Sequence, residues 1–162
     1  MIGRCRPAQQ QPAFFLAQAF CIIWAFAAQA KTTTIDDSGT QSLEPSISMR
    51  WKTAAPSHSA SDNLMIGTTT IRVRINVTPW LHRSGRIYLN LPAQQPGPIT
   101  ASWIAQGRLS SGQVRSGNRA LIYAGPIATP FIEDVLKFQF GVDGSLMRRS
   151  FPVTFHFEMD ES

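Results

Sequence analysis

Three histidines, His58, His82 and His156, come first, because an imidazole titrating near neutral pH readily serves as general base or metal ligand. They stand far apart in the chain, with no HxH or HExxH spacing between them. His58 falls in a Ser-rich stretch, His82 in a turn and His156 on the outward face of the last strand, so three solvated side chains and no metal site are expected. The carboxylates form two groups, Glu133-Asp134 and Glu158/Asp160/Glu161. Glycoside hydrolysis needs two carboxylates facing each other across a cleft. One group here is a sequence-adjacent pair and the other a terminal tail, so a solvated loop and a solvated tail are expected. There is no GxSxG elbow, and Gly107-Arg108-Leu109-Ser110-Ser111-Gly112 lacks the Lys-Ser/Thr ending of a phosphate loop. These residues predict no enzyme, no catalytic residue and no cofactor. A dispersed hydrolase site would have to gather at least two of His82, Glu133 and His156.

Arginine is more suggestive. The 15 basic residues include only three lysines, Lys31, Lys52 and Lys137. The planar guanidinium fork binds sulfate, phosphate and carboxylate bidentately. Arg72 and Arg74 share the outer face of one strand, and Arg83 and Arg86 flank the next turn. These four are the candidate anionic-ligand residues, with ordinary solubilising charge as the alternative. Trp80, in Pro79-Trp80-Leu81-His82, stands at a strand end and is the candidate aromatic platform for a sugar, with a core-edge tryptophan as the alternative.

The N-terminus sets the compartment in which any such chemistry would run. Arg4 and Arg6 are followed by an almost wholly apolar run from Ala13 to Ala28 and then by Ala28-Gln29-Ala30. Positive region, apolar run and small-x-small site in that order describe a cleaved secretory signal over residues 1–30. The apolar run is short for a membrane span, which takes about 20 residues. Both cysteines, Cys5 and Cys21, would leave with the signal. The exported chain would then have no thiol for nucleophilic catalysis, zinc or Fe–S ligation. Its residual positive charge would face glycans, lipid head groups or acidic proteins rather than nucleic acid.

The elements that must carry these residues are strands. With 15% charged residues, 43% hydrophobic residues and eleven each of Gly and Pro, the composition opposes long helices and suits a packed β domain. Residues 31–66 read as a polar N-terminal extension, with one alternating piece, Ile47, Met49 and Trp51, as a candidate first strand. From residue 67 to 162 the period is two. Ile71, Val73, Ile75 and Val77 share one face, then Ile87, Leu89 and Leu91, then Ile99, Ala101 and Trp103. Leu136, Phe138, Phe140 and Val142 form a further row, and Phe151, Val153, Phe155, Phe157 and Met159 the last. Asp143-Gly144 between these two rows predicts a type I′ hairpin joining them. Short strands without a long helix predict an all-β fold, an immunoglobulin-like β-sandwich of about seven strands.

A signal peptide, a sandwich of this size and an aromatic, alternating last strand resemble a subunit or accessory protein of a bacterial chaperone–usher fimbria (pilus). The residues that carry the resemblance are Phe151, Val153, Phe155, Phe157 and Met159. It implies that the last strand borders a groove left by a missing strand. A periplasmic chaperone, and then another subunit, would fill that groove by strand addition. The implied role is assembly of the fimbria or cell-surface adhesion, first in the periplasm and then at the surface. Lys31 to Ser46 has only Ile35 and Leu43 as large apolar residues, which suits an accessory, tip or terminating protein better than a shaft subunit. The competing expectation is a stand-alone periplasmic or secreted module binding an anionic glycan or lipid, with a complete sandwich and converging arginines.

Overall fold

The computed structural model describes residues 31–53, 63–93, 97–146 and 152–161. The expected signal over 1–30 lies outside the described residues, as do His58 and Phe151. The described residues form strands and two single 3-10 turns, with no α-helix among them.

The strands are β1 (Thr32–Thr34), β2 (Gln41–Ser42), β3 (Met49–Trp51), β4 (Leu64–Asn76) and β5 (Ser84–Leu91). They continue with β6 (Ile99–Ala105), β7 (Gly112–Arg115), β8 (Asn118–Pro126), β9 (Phe131–Asp143) and β10 (His156–Glu161). Among the described residues they make two antiparallel sheets. One has the order β1-β10-β5-β8, and the other β2-β4-β9-β6-β7 with β3 also on β4. The described residues thus form an all-β sandwich.

The alternation that made the strands legible also builds the core. Ile71, Val73 and Ile75 of β4 point inward, as do Ile132, Leu136, Phe138, Phe140 and Val142 of β9. They meet Ile87, Leu89 and Leu91 of β5 and Phe157 and Met159 of β10 in one cluster. β4 and β9 pair in register from Leu64↔Asp143 to Asn76↔Phe131, the longest ladder and the spine of the second sheet. Gly85 leaves room for the core here, since a Cβ on it would meet Met159 Sδ at 2.6 Å. Gly117, at φ 85°, makes the turn that carries the chain from β7 in one sheet to β8 in the other.

Four features differ from the sequence reading. The expected 136–159 hairpin is absent, because β9 belongs to one sheet and β10 to the other. Asp143-Gly144 opens a 3-10 turn instead of a type I′ pair: the Asp143 carboxylate accepts from the Ser145 N–H at 2.9 Å and from its hydroxyl at 2.7 Å. The last strand begins at His156, and Pro152–Phe155 precede it outside the strand. The stretch read as an N-terminal extension also contributes to the sheets. It supplies β1, β2 and β3, and the expected boundary at residue 67 falls inside β4.

Candidate functional site

A groove of about 500 Å³ opens between the two sheets. Its floor is the inner face of the second sheet, with Ile71 of β4, Ile99 of β6 and Phe140 and Val142 of β9. One wall is the arm from Thr40 to Met49, and the other is Pro152, Val153 and Phe155. Phe155 joins wall to core: its ring stacks on Phe138 at 5.7 Å and meets Phe157 edge-on at 5.8 Å.

The arm is held by its polar residues. Glu44 Oε2 accepts from the Thr69 hydroxyl at 2.5 Å and the Thr70 N–H at 2.7 Å, and these bonds hold its pKa below the usual carboxylate value. The Leu43 N–H donates to the Thr70 carbonyl at 2.9 Å. Ile47 and Met49 can therefore stand over the groove without being part of the closed core.

The groove ends where β1 begins to cover β10. Thr34, Thr33 and Thr32 pair with Glu158, Met159 and Asp160, and the Ile35 N–H donates to the Phe157 carbonyl at 2.8 Å. The chain then crosses to the second sheet, where Asp36 bridges to Asn76. Among the described residues, one line of strand positions beside β10 and its lead-in segment is thus filled at one end by β1 and continues at the other as the groove.

Comparison with known protein families, curated proteins and solved structures gives no match.

The candidate partner-strand residues fall on both sides of that division. Val153 and Phe155 are partly buried groove wall, Phe157 and Met159 are fully buried in the core where β1 pairs with β10, and Phe151 lies outside the described residues. The four candidate arginines do not converge. Arg72 and Arg74 lie on β4 in the second sheet, while Arg83 precedes β5 and Arg86 lies on it in the first. Two are already engaged: Arg74 with Glu133 at 3.2 Å and over the Phe131 ring at 4.4 Å, Arg83 with Glu161 at 3.4 Å. Trp80 is 7% exposed and donates its indole N–H to Glu161 Oε1 at 3.0 Å, so it is a core-edge tryptophan with no free face for a sugar. Glu133 and His156 lie on strands of different sheets, and His82 sits in the turn before β5. No group of His, Cys, Asp or Glu among the described residues could hold a metal, and no helix there is long and apolar enough to cross a membrane.

The carboxylates read as loop and tail are structural. Asp134 points inward from β9, 7% exposed, and accepts from the Leu109 N–H at 2.8 Å and the Gln106 N–H at 3.2 Å, holding the β6–β7 loop. On the outer face of the first sheet, Arg119 of β8 crosses the Tyr88 ring at 4.3 Å and grips Asp160 with two bonds of 2.9 Å. The same guanidinium reaches Glu158 at 3.4 Å, which also accepts from Asn90 at 2.6 Å and faces His156 at 3.1 Å. The Thr32 hydroxyl closes the network on Asp160 at 2.6 Å, so β8, β5, β10 and β1 share one clamp. Burial pushes the Glu158 carboxyl up, but bonds from Asn90, His156 and Arg119 outweigh it and leave the pKa lowered. Asp160 is lowered chiefly by its Arg119 bonds, against burial, with help from Thr32 and Arg86. The alternation 158, 160 along an outward face was the available signal in the sequence. The residue that meets it, Arg119, lies about forty positions away and no local pattern links them.

Proposed function

We propose that the chain is an exported, non-enzymatic β-sandwich of immunoglobulin-like plan that acts in fimbria assembly or cell-surface adhesion by taking a partner's strand into the groove at Val153 and Phe155. The observation that carries this reading is the groove itself: an apolar floor of Ile71, Ile99, Phe140 and Val142 beside the edge that β1 leaves uncovered. An extended strand laid there satisfies backbone groups through the edge and drops alternate side chains onto the floor. Export accords with the order of Arg4 and Arg6, the apolar run and Ala28-Gln29-Ala30, with β1 starting at Thr32. The partner is a chaperone or fimbrial subunit presenting such a strand. The scattered, partly paired arginines give the anionic-glycan alternative no comparable site.

The test is thermal unfolding with a Lys-flanked peptide alternating Val and Thr, about five residues in its strand portion and ~16 Å long. A ligand of the folded state at ten times its Kd stabilises by ~1.4 kcal/mol, raising Tm by a few degrees. Val153→Asp should abolish the rise. No rise in the unaltered protein overturns the groove reading. Intact mass of periplasmic protein tests export separately, with a chain beginning at Lys31 as the expected product and retention of residues 1–30 as the contrary one.

A further inference from the structure

We propose that β1 is an exchangeable strap: it fills, within one molecule, part of the strand position whose remainder is the open groove, so a partner strand longer than the groove must lift β1 off β10. This rests on reading the groove as a strand acceptor.

The register places strap and groove on one line. Thr33 stands opposite Met159 and Ile35 bonds to Phe157, while Phe155 and Val153 continue the same inward row into the groove. A strand entering beside Val153 and extending past Phe155 therefore reaches the space held by Ile35 and Thr33. The occupant that fits is an extended segment alternating apolar and polar residues, because the row it covers alternates in that way.

The strap's attachment is small. Its ladder spans three residues, with Lys31, Thr32 and Thr34 exposed. Ile35, 2% exposed, is its apolar anchor, and the Thr32–Asp160 bond of 2.6 Å ties it to the charged clamp. Segments with few buried apolar contacts open locally well below the cost of global unfolding. A longer incoming strand offers its own apolar residue in place of Ile35 and more backbone bonds than the three-residue ladder, so exchange is driven by length.

A reversible lock tests this. Thr34 and Glu158 are directly opposed beside the bonded Ile35–Phe157 pair. That alternation makes them a non-hydrogen-bonded pair, whose Cα atoms typically lie about 4.5 Å apart, within disulfide range. Thr34→Cys with Glu158→Cys, in the full chain carrying Cys5→Ser and Cys21→Ser, fixes the strap when oxidised and frees it when reduced. The probes are the short Val/Thr peptide and a longer one of about nine residues, ~30 Å extended. The long peptide should bind the reduced form tighter by about tenfold or more, within the usual range for coupled sites. The short peptide should bind both forms alike. Equal binding of the long peptide to both forms overturns the strap while leaving the groove standing; failure of the short peptide on either form overturns the groove and the strap with it. Hydrogen exchange in the unaltered chain gives a peptide-free check. The Ile35 amide should exchange through an opening much easier than that of Val73 in β4, and equal protection of the two overturns the strap.

Discussion

Pro152–Phe155 and His156–Glu161 carry one continuous alternation of inward apolar side chains, yet they meet different surroundings. The C-terminal part has β5 on one side and β1 on the other, with Phe157 and Met159 at 0% exposure. The preceding part carries the same chemistry, Val153 and Phe155, but forms the wall of an open groove. Side-chain pattern decides which face of a strand turns inward. Whether that face is sealed depends on a neighbour supplied by a distant segment, here the few residues around Ile35.

The largest effect that should separate the two parts is a truncation in each. Phe157→Ala removes a fully buried ring and should cost about 3–5 kcal/mol in urea unfolding. Phe155→Ala removes a partly buried ring at the groove wall and should cost ~1–2 kcal/mol, while also weakening any peptide-induced rise in Tm. Equal costs would mean the groove is closed in solution and the contrast between the parts does not exist.

A smaller effect is expected from the clamp that holds β1 and β10 in the first sheet. Arg119→Ala removes the two-pronged grip on Asp160, the contact with Glu158 and the stacking over Tyr88. Its side chain is 38% exposed, so the loss is discounted for solvent to about 1–2 kcal/mol. A double-mutant cycle with Asp160→Asn should show coupling on the order of 1 kcal/mol. Arg72→Ala, on the outer face of the other sheet, should stay within about 0.5 kcal/mol of the parent. If Arg72 proves as costly as Arg119, the clamp has no special standing.

This contrast also marks where the sequence was legible. The inward faces of β4, β5, β6 and β9 could be read from period-two runs of Ile, Val, Leu and Phe, because burial on one face imposes that pattern locally. The pairing of β10 could not. Asp143-Gly144 had the composition of a hairpin, but Asp143 bonds Ser145 and the chain crosses to the other sheet, where Phe157 and Met159 complete a core with Leu89 and Ile87. Nor could the short strands β1 and β2: polar residues such as Thr32 and Gln41 join ladders through their backbones, which leave no trace in side-chain pattern. Glu133-Asp134 read as a loop pair because two acids in succession look solvated. On a strand they face opposite ways, one to Arg74 and one to the Leu109 N–H. The wall residues Val153 and Phe155 were legible as an apolar row, whereas the floor they face, drawn from three strands of the other sheet, was not.

Acid should loosen the clamp. Glu158 and Asp160 have folded pKa values below their ordinary 4.5 and 3.8, so they stabilise the fold above those values and lose that contribution as pH falls through the folded ones. The charged and titratable groups facing them are Arg119 from β8, Arg86 from β5 and the His156 imidazole from β10 itself. Unfolding free energy should therefore decline below about pH 4, and Asp160→Asn should flatten that decline. An Asp160→Asn profile that falls as steeply as the parent would remove Asp160 from the explanation.

The smallest expected effect has the opposite sign and comes from the point where the chain leaves β10. Asp37 follows Ile35 in the turn closed by the Thr40 N–H on the Asp37 carbonyl at 2.8 Å. Burial pushes its carboxyl above 3.8, only partly offset by a backbone bond and the positive field of His156, and the neighbouring Asp36 adds to the rise. An acid whose pKa is higher in the folded state destabilises the fold once pH exceeds its unfolded value, because the unfolded chain ionises more readily. Asp37→Asn should thus stabilise the protein at neutral pH, by a few tenths of a kcal/mol after solvent screening. The gain should vanish below about pH 3.8, where the acid is protonated in both states. Asp160→Asn should do the reverse, losing stability at neutral pH and approaching the parent in acid. The pair of profiles should therefore converge at low pH and diverge in opposite directions above it. A neutral-pH loss for Asp37→Asn would show that the carboxylate at this exit point is held by favourable contacts, as its neighbours on β10 are, instead of being tolerated where the strap turns away.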